Sequence, residues 1–88
     1  MKKTGNRMYY PAVFTYEKGK DIAVVFPDLD VATSGANDAD AFDSARECLG
    51  MVLVGLEEDG AKTPKASKLS DIKLEKNERA VLIDVFMH

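Results

Sequence analysis

The segment from Asn37 to Gly60, NDADAFDSARECLGMVLVGLEEDG, constrains the rest of the chain more than any other. Asn37 or Asp38 can open a helix by accepting a bond from a first-turn N–H. Asp38, Asp40 and Asp43 lie near its start, where negative charge suits the helix dipole. Phe42, Ala45, Leu49, Val52, Leu53 and Leu56 recur at helical spacing and form one apolar stripe. Gly60 supplies the stop, so the spacing predicts a helix over about residues 38–59. A chain of 88 residues has one domain to build, and its other apolar segments must supply the surface this stripe covers.

Those segments read as strands. Residues 8–16, MYYPAVFTY, are rich in aromatic and β-branched residues, with Tyr10, Ala12, Phe14 and Tyr16 on one face. Pro11 cannot donate to a ladder and is expected near the strand's start or at a bulge. The polar stretch 17–21 with Gly19 makes a hairpin loop, residues 22–26 a second strand, and residues 31–34, after the FPDLD turn, a short third. A Lys-bearing connector follows the helix, and residues 80–87, AVLIDVFM, form a last strand. The expected fold is α+β in two layers, β-β-β-α-β: a four-stranded mixed sheet with one face under the long helix. Residues 1–7 are expected to be a flexible tail and residues 8–88 the folded domain.

Two features of the helix do not suit a plain surface element. Gly50 and Gly55 lie in its interior, each costing about 1 kcal/mol relative to Ala. At roughly 100° per residue, Met51 and Val54 point away from the main stripe. Met51, Val54 and Gly55 are therefore candidates for self-association, as are Ile83 and Val85 in a final strand that would lie at a sheet edge. The bland alternative is a thick core with a loop laid over it.

Charge narrows the partner. Residues 8–60 carry eleven acids against three bases, within a net charge of -3. Such a surface repels phosphates and favours a basic partner, although acids also simply keep a small domain soluble. The single Cys48 excludes an internal disulfide and fits a reducing cytoplasm. No apolar run approaches the roughly 20 residues that span a bilayer.

Catalytic chemistry finds little material. Asp28, Asp30, Asp38, Glu47 and Asp84 could be metal-binding carboxylates, but Asp28 and Asp30 fall in a turn where aspartate bonds its own backbone. Cys48 has no histidine near it in sequence, and no serine stands in an elbow motif. No Gly-rich phosphate loop is present. The residues point to no catalytic group, no metal, no cofactor and no direct contact with nucleic acid.

Six segments in series carry a resemblance: YPAVF (10–14), VVFPDLD (24–30), ATSG (32–35), AFDSARECLGMVLVGLEEDG (41–60), PKAS (64–67) and VLIDV (81–85). Together they resemble the HicB antitoxin family over nearly the whole chain. The resemblance implies a partial ribonuclease H-like domain and a cytoplasmic antitoxin. It would bind a small basic HicA-type toxin that cleaves mRNA and mask its active site. Larger members of that family carry a C-terminal DNA-binding domain, and this chain departs from them by ending after the last strand. On this reading Glu17, Asp21, Asp28, Asp30 and Asp38 form an acidic rim that meets the toxin, and the chain forms a homodimer or higher homo-oligomer. Two other readings compete: a residual metal-dependent ribonuclease on the same scaffold, and a stand-alone protein-interaction module.

Overall fold

Ile22, Val24 and Phe26 are buried while Ala23 and Val25 between them are exposed. That period of two marks a strand with one face on a core. The computed structural model describes residues 6–87. It contains β1 (Asn6–Thr15), β2 (Ile22–Phe26), β3 (Val31–Gly35), the helix α1 (Asp38–Glu58) and β4 (Glu78–Met87). The sheet order is β3-β2-β1-β4, and α1 covers one face. The strand after residue 8 starts earlier than its sequence indicates. Asn6 and Arg7 already pair with Met87 and Phe86, so two residues assigned to a tail belong to β1. Residues 1–5 of that tail and His88 lie outside the described residues.

Every strand pair is antiparallel, which corrects the expectation of a mixed sheet. A short link from α1 would have brought β4 in parallel to β1. Instead residues 59–77 return the chain to the end of the sheet where the helix began. Glu78 therefore pairs with Thr15 and Met87 with Asn6.

The connector is fastened along its route. Tyr10 Oη donates to the Pro64 carbonyl. The Ser67 amide and hydroxyl both donate to the Asp28 carboxylate, at 2.8 and 2.6 Å. A single 3-10 turn follows at Leu69–Asp71. Asp71, Ile72 and Lys73 then share a cleft with Val13, Thr15 and Val25, on the face turned away from α1. Asn77 closes the path, its carbonyl accepting from the Tyr16 amide at 2.9 Å.

The core joins alternate residues of the strands to one stripe of the helix. Tyr10, Ala12, Phe14, Ile22, Val24, Phe26 and Ile83 pack with Ala41, Ala45, Leu49 and Leu53. The centre of the stripe thus lies slightly aside from the one read in the sequence. Ala41 is wholly buried, whereas Phe42 stands at the margin and is exposed. Asn37 caps the helix as expected, its side-chain oxygen accepting from the Asp40 amide at 2.8 Å.

Two imperfect strand residues have local reasons. Arg46 Nε donates to the Asp84 carbonyl from outside the sheet, so Asp84 turns its backbone away from β1. By alternation Leu82 does the same, and Pro11 opposite Leu82 turns its nitrogen toward the β2 side. The β1–β2 pairing there reaches only Val13, so the missing N–H breaks no bond. At Gly35 the constraint is space. A Cβ would stand 2.3 Å from the Ala41 nitrogen, because the end of β3 touches the first turn of α1.

Urea unfolding should separate the glycines. Gly35→Ala forces strand and helix apart and is expected to cost ~1–3 kcal/mol. A Cβ at Gly55 meets nothing within 4 Å, so Gly55→Ala should stabilise by ~0.5–1 kcal/mol through helix propensity. A neutral Gly35→Ala would refute the close contact.

Candidate functional site

The five acids expected on one rim fall at two ends of the sheet. Glu17 and Asp21 lie in and after the β1–β2 hairpin loop, and Asp38 starts α1 close by. There Tyr16 Oη donates to Asp38 Oδ1 at 2.7 Å, and Glu17 pairs with Lys20 at 3.5 Å. Asp28 and Asp30 lie in the β2–β3 turn, at the far end of a five-residue strand. At about 3.3 Å per residue, that separation is roughly 17 Å.

The turn acids also have inward tasks. Asp28 holds Ser67 with both carboxylate oxygens. Asp30 adopts a left-handed backbone, φ 55, which aspartate tolerates better than most residues. The amides of Leu29 and Asp30 both donate to the Phe26 carbonyl, which closes the turn. Leu29 packs against the core. Glu17, Asp21 and Asp38 are thus brought together, and Asp28 and Asp30 are not part of that group.

The self-association residues divide similarly. Met51 is 74% exposed and Val54 is exposed beside it. Gly55 has open space above it. Ile83 is wholly buried in the core, and Val85 packs against it, its Cγ2 3.5 Å from where a Cβ on Gly50 would be. The side chains of Ile83 and Val85 point under the helix because they sit on the inner face of β4, so a partner meets only the backbone there. A Cβ on Gly50 would make an ordinary contact with Val85 and one on Gly55 would meet nothing within 4 Å, so packing within this chain requires neither glycine.

Two features went unread in the sequence. The first is Arg46, which crosses from α1 to β4, with Nε 3.2 Å from the Asp84 carbonyl and 3.9 Å from its carboxylate. Arg7 pairs with the same carboxylate from β1. The second is a groove between β3 and α1, bordered by Val31, Thr33, Ser44, Glu47, Cys48 and Met51. Helical spacing carried the signal for its helical wall, since Ser44, Glu47, Cys48 and Met51 recur at three and four residues.

Burial pushes the Cys48 thiol up, so little thiolate is present at neutral pH. Among the described residues, no three His, Cys, Asp or Glu side chains converge in a way that could hold a metal ion. Among the described residues, no helix is long and apolar enough to cross a membrane.

No family model matches the chain, and no curated protein does. Among solved structures, it is similar to a chain of a toxin–antitoxin complex from Streptococcus pneumoniae, with a TM-score of 0.81 and 23% sequence identity. The likeness covers 90% of this chain and 69% of that one. At such identity it establishes a shared fold.

The Tyr16–Asp38 contact predicts an alkaline signature. The hydrogen bond to Asp38, with burial and the Asp38 charge behind it, raises the Tyr16 hydroxyl above its ordinary 10.0, while Arg79 opposes the shift. A proton held more tightly in the folded state stabilises it below pH 10, and that contribution is lost as pH rises through the raised value. Tyr16→Phe should remove this part of the decline in stability above pH 10. An unchanged alkaline profile in denaturant titrations would contradict the contact.

Proposed function

We propose that this chain is a HicB-type antitoxin that binds a small, basic, mRNA-cleaving HicA-type toxin and masks its active site. The observation that carries the reading is the fold shared with a chain of a toxin–antitoxin complex. Charge favours the antitoxin side of such a pair. The helix bears acids at Asp38, Asp40, Asp43, Glu47, Glu57 and Glu58 against the single Arg46. That field attracts a basic protein and speeds its encounter, and it repels RNA. The ribonuclease H-like ancestry and the absence of catalysis belong to this reading. Masking needs a surface and no reacting group, and the scaffold's acids are spread over both ends of the sheet.

The reading includes a homodimer. Tyr9, Val25 and Leu82 are exposed apolar residues on the sheet face turned away from α1. A second copy covering that face would remove them from water. The final strand's edge serves less well, because Arg46 lies across it. A monomeric mass by sedimentation at high micromolar concentration would count against the dimer.

Two experiments test the reading. Titrating the chain into a HicA-type toxin should abolish RNA cleavage stoichiometrically; undiminished cleavage by the toxin beside the folded chain would reject it. Charge reversal separates the two acid groups. Asp21→Lys should slow association and flatten its salt dependence, because Asp21 is exposed at the end where three acids gather. Asp28→Ala should instead cost ~1–3 kcal/mol of stability by stranding the Ser67 donors, with association in dilute salt little changed.

A further inference from the structure

The sheet has two edges, and they are treated differently. At β4, Arg46 crosses the strand to reach the Asp84 carbonyl, and Arg7 joins it at the Asp84 carboxylate. Charged side chains laid over an edge obstruct the addition of another strand. At β3, among the described residues, no side chain bonds a backbone group of Val31–Gly35. β3 is the outermost strand on its side, so one row of its N–H and C=O groups faces outward.

Beside that open edge lies the groove against α1, of about 370 Å³. Its floor is soft and apolar: Val31, the half-buried Cys48 and the protruding Met51. Its rim is acidic. Glu47 lines the groove, and Asp40 and Glu58 follow the same flank at helical spacing. The only base of α1, Arg46, is turned to the opposite flank.

We propose that the β3 edge and this flank of α1 take an extended, lysine- or arginine-bearing segment of a partner protein as an added strand. The partner's backbone pairs with β3. The basic side chains on its inner face lay their methylene stems along Met51 and Cys48 and set their charged heads beside Glu47. A second copy of the chain fits poorly, because it would bring one acidic flank against another. The inference rests on the antitoxin reading only for the partner's identity; the surface itself is read from the edge, the groove and the charge.

The test uses the whole chain and a short blocked peptide alternating lysine with threonine. Hydrogen exchange should slow at the outward amides of β3, β4 should be unaffected, and alkylation of Cys48 should slow with it. Glu47→Lys should weaken binding about tenfold, equivalent to ~1.4 kcal/mol. Glu57→Lys, on the flank facing Met8 and Met87, should not. Equal binding by a peptide N-methylated at alternate residues would show mere charge attraction and overturn the proposal, as would protection at β4. So would β3 amides already protected by a second copy in the free chain. A HicA-type toxin separates the two claims. A toxin that binds and leaves β3 unprotected overturns this surface and leaves the antitoxin reading standing. A toxin that fails to bind, while the peptide protects β3, overturns the antitoxin reading and leaves the surface.

Discussion

The close seating of α1 on the sheet sets the geometry of this domain. Ala41 and Ala45 are fully buried at the start of the helix, and the bare Cα of Gly35 lies under Ala41. Small residues at one end, with Leu49 and Leu53 further along, bring the helix near β3 first and spread it over β2, β1 and β4. The cap at Asn37 and the bond from the Ala36 amide to Asp40 then hold the turn between strand and helix. Because α1 lies so close, its two flanks border the two edges of the sheet. One carries Arg46 to the edge of β4. The other forms the groove beside β3.

Much of the fold was legible because local signals agreed with the tertiary outcome. The asparagine cap, the apolar stripe and the alternation in β2 each reported a real element, and the order of elements followed. The errors arose where long-range contacts decide. Antiparallel β4 depends on the path of residues 59–77, and that path is held by Asp28–Ser67 and Tyr10–Pro64. Neither pairing has a periodicity to betray it. Asn6 and Arg7 are polar, yet they are strand because β4 is long enough to reach them. Phe42 read as core from its hydrophobicity, but the helix rolls about Ala41, which places the ring at the rim near the Arg46 guanidinium.

The acids show the same limit more sharply. FPDLD supplies two carboxylates in three residues, and a charge count assigns both to a surface. In the fold, Asp28 is a structural acceptor that anchors the connector, and Asp30 closes a turn in a conformation few residues adopt cheaply. Acids in turns are first used by the backbone. Carboxylates with no such duty, among them Asp21 at one end and Glu47 along the helix, are the ones available to a partner. Composition favours a basic partner, and the packing shows which acids are already engaged within the fold.

The two interior glycines of α1 differ in what lies over them. Gly50 sits over Val85, where an added methyl would be in ordinary contact, so the helix–β4 packing would accept a side chain there. Gly55 has nothing within reach and still carries the helix penalty of about 1 kcal/mol. Beside it Met51 is largely exposed, at the cost of leaving a large apolar side chain in water. Neither choice improves the isolated domain. Both become favourable when another backbone lies against the β3 flank, since a missing Cβ admits close approach and a flexible thioether adapts to what arrives. Arg46, by contrast, improves the isolated domain by satisfying an edge carbonyl. One flank of the helix thus serves the fold, and the other is open to the added strand proposed above.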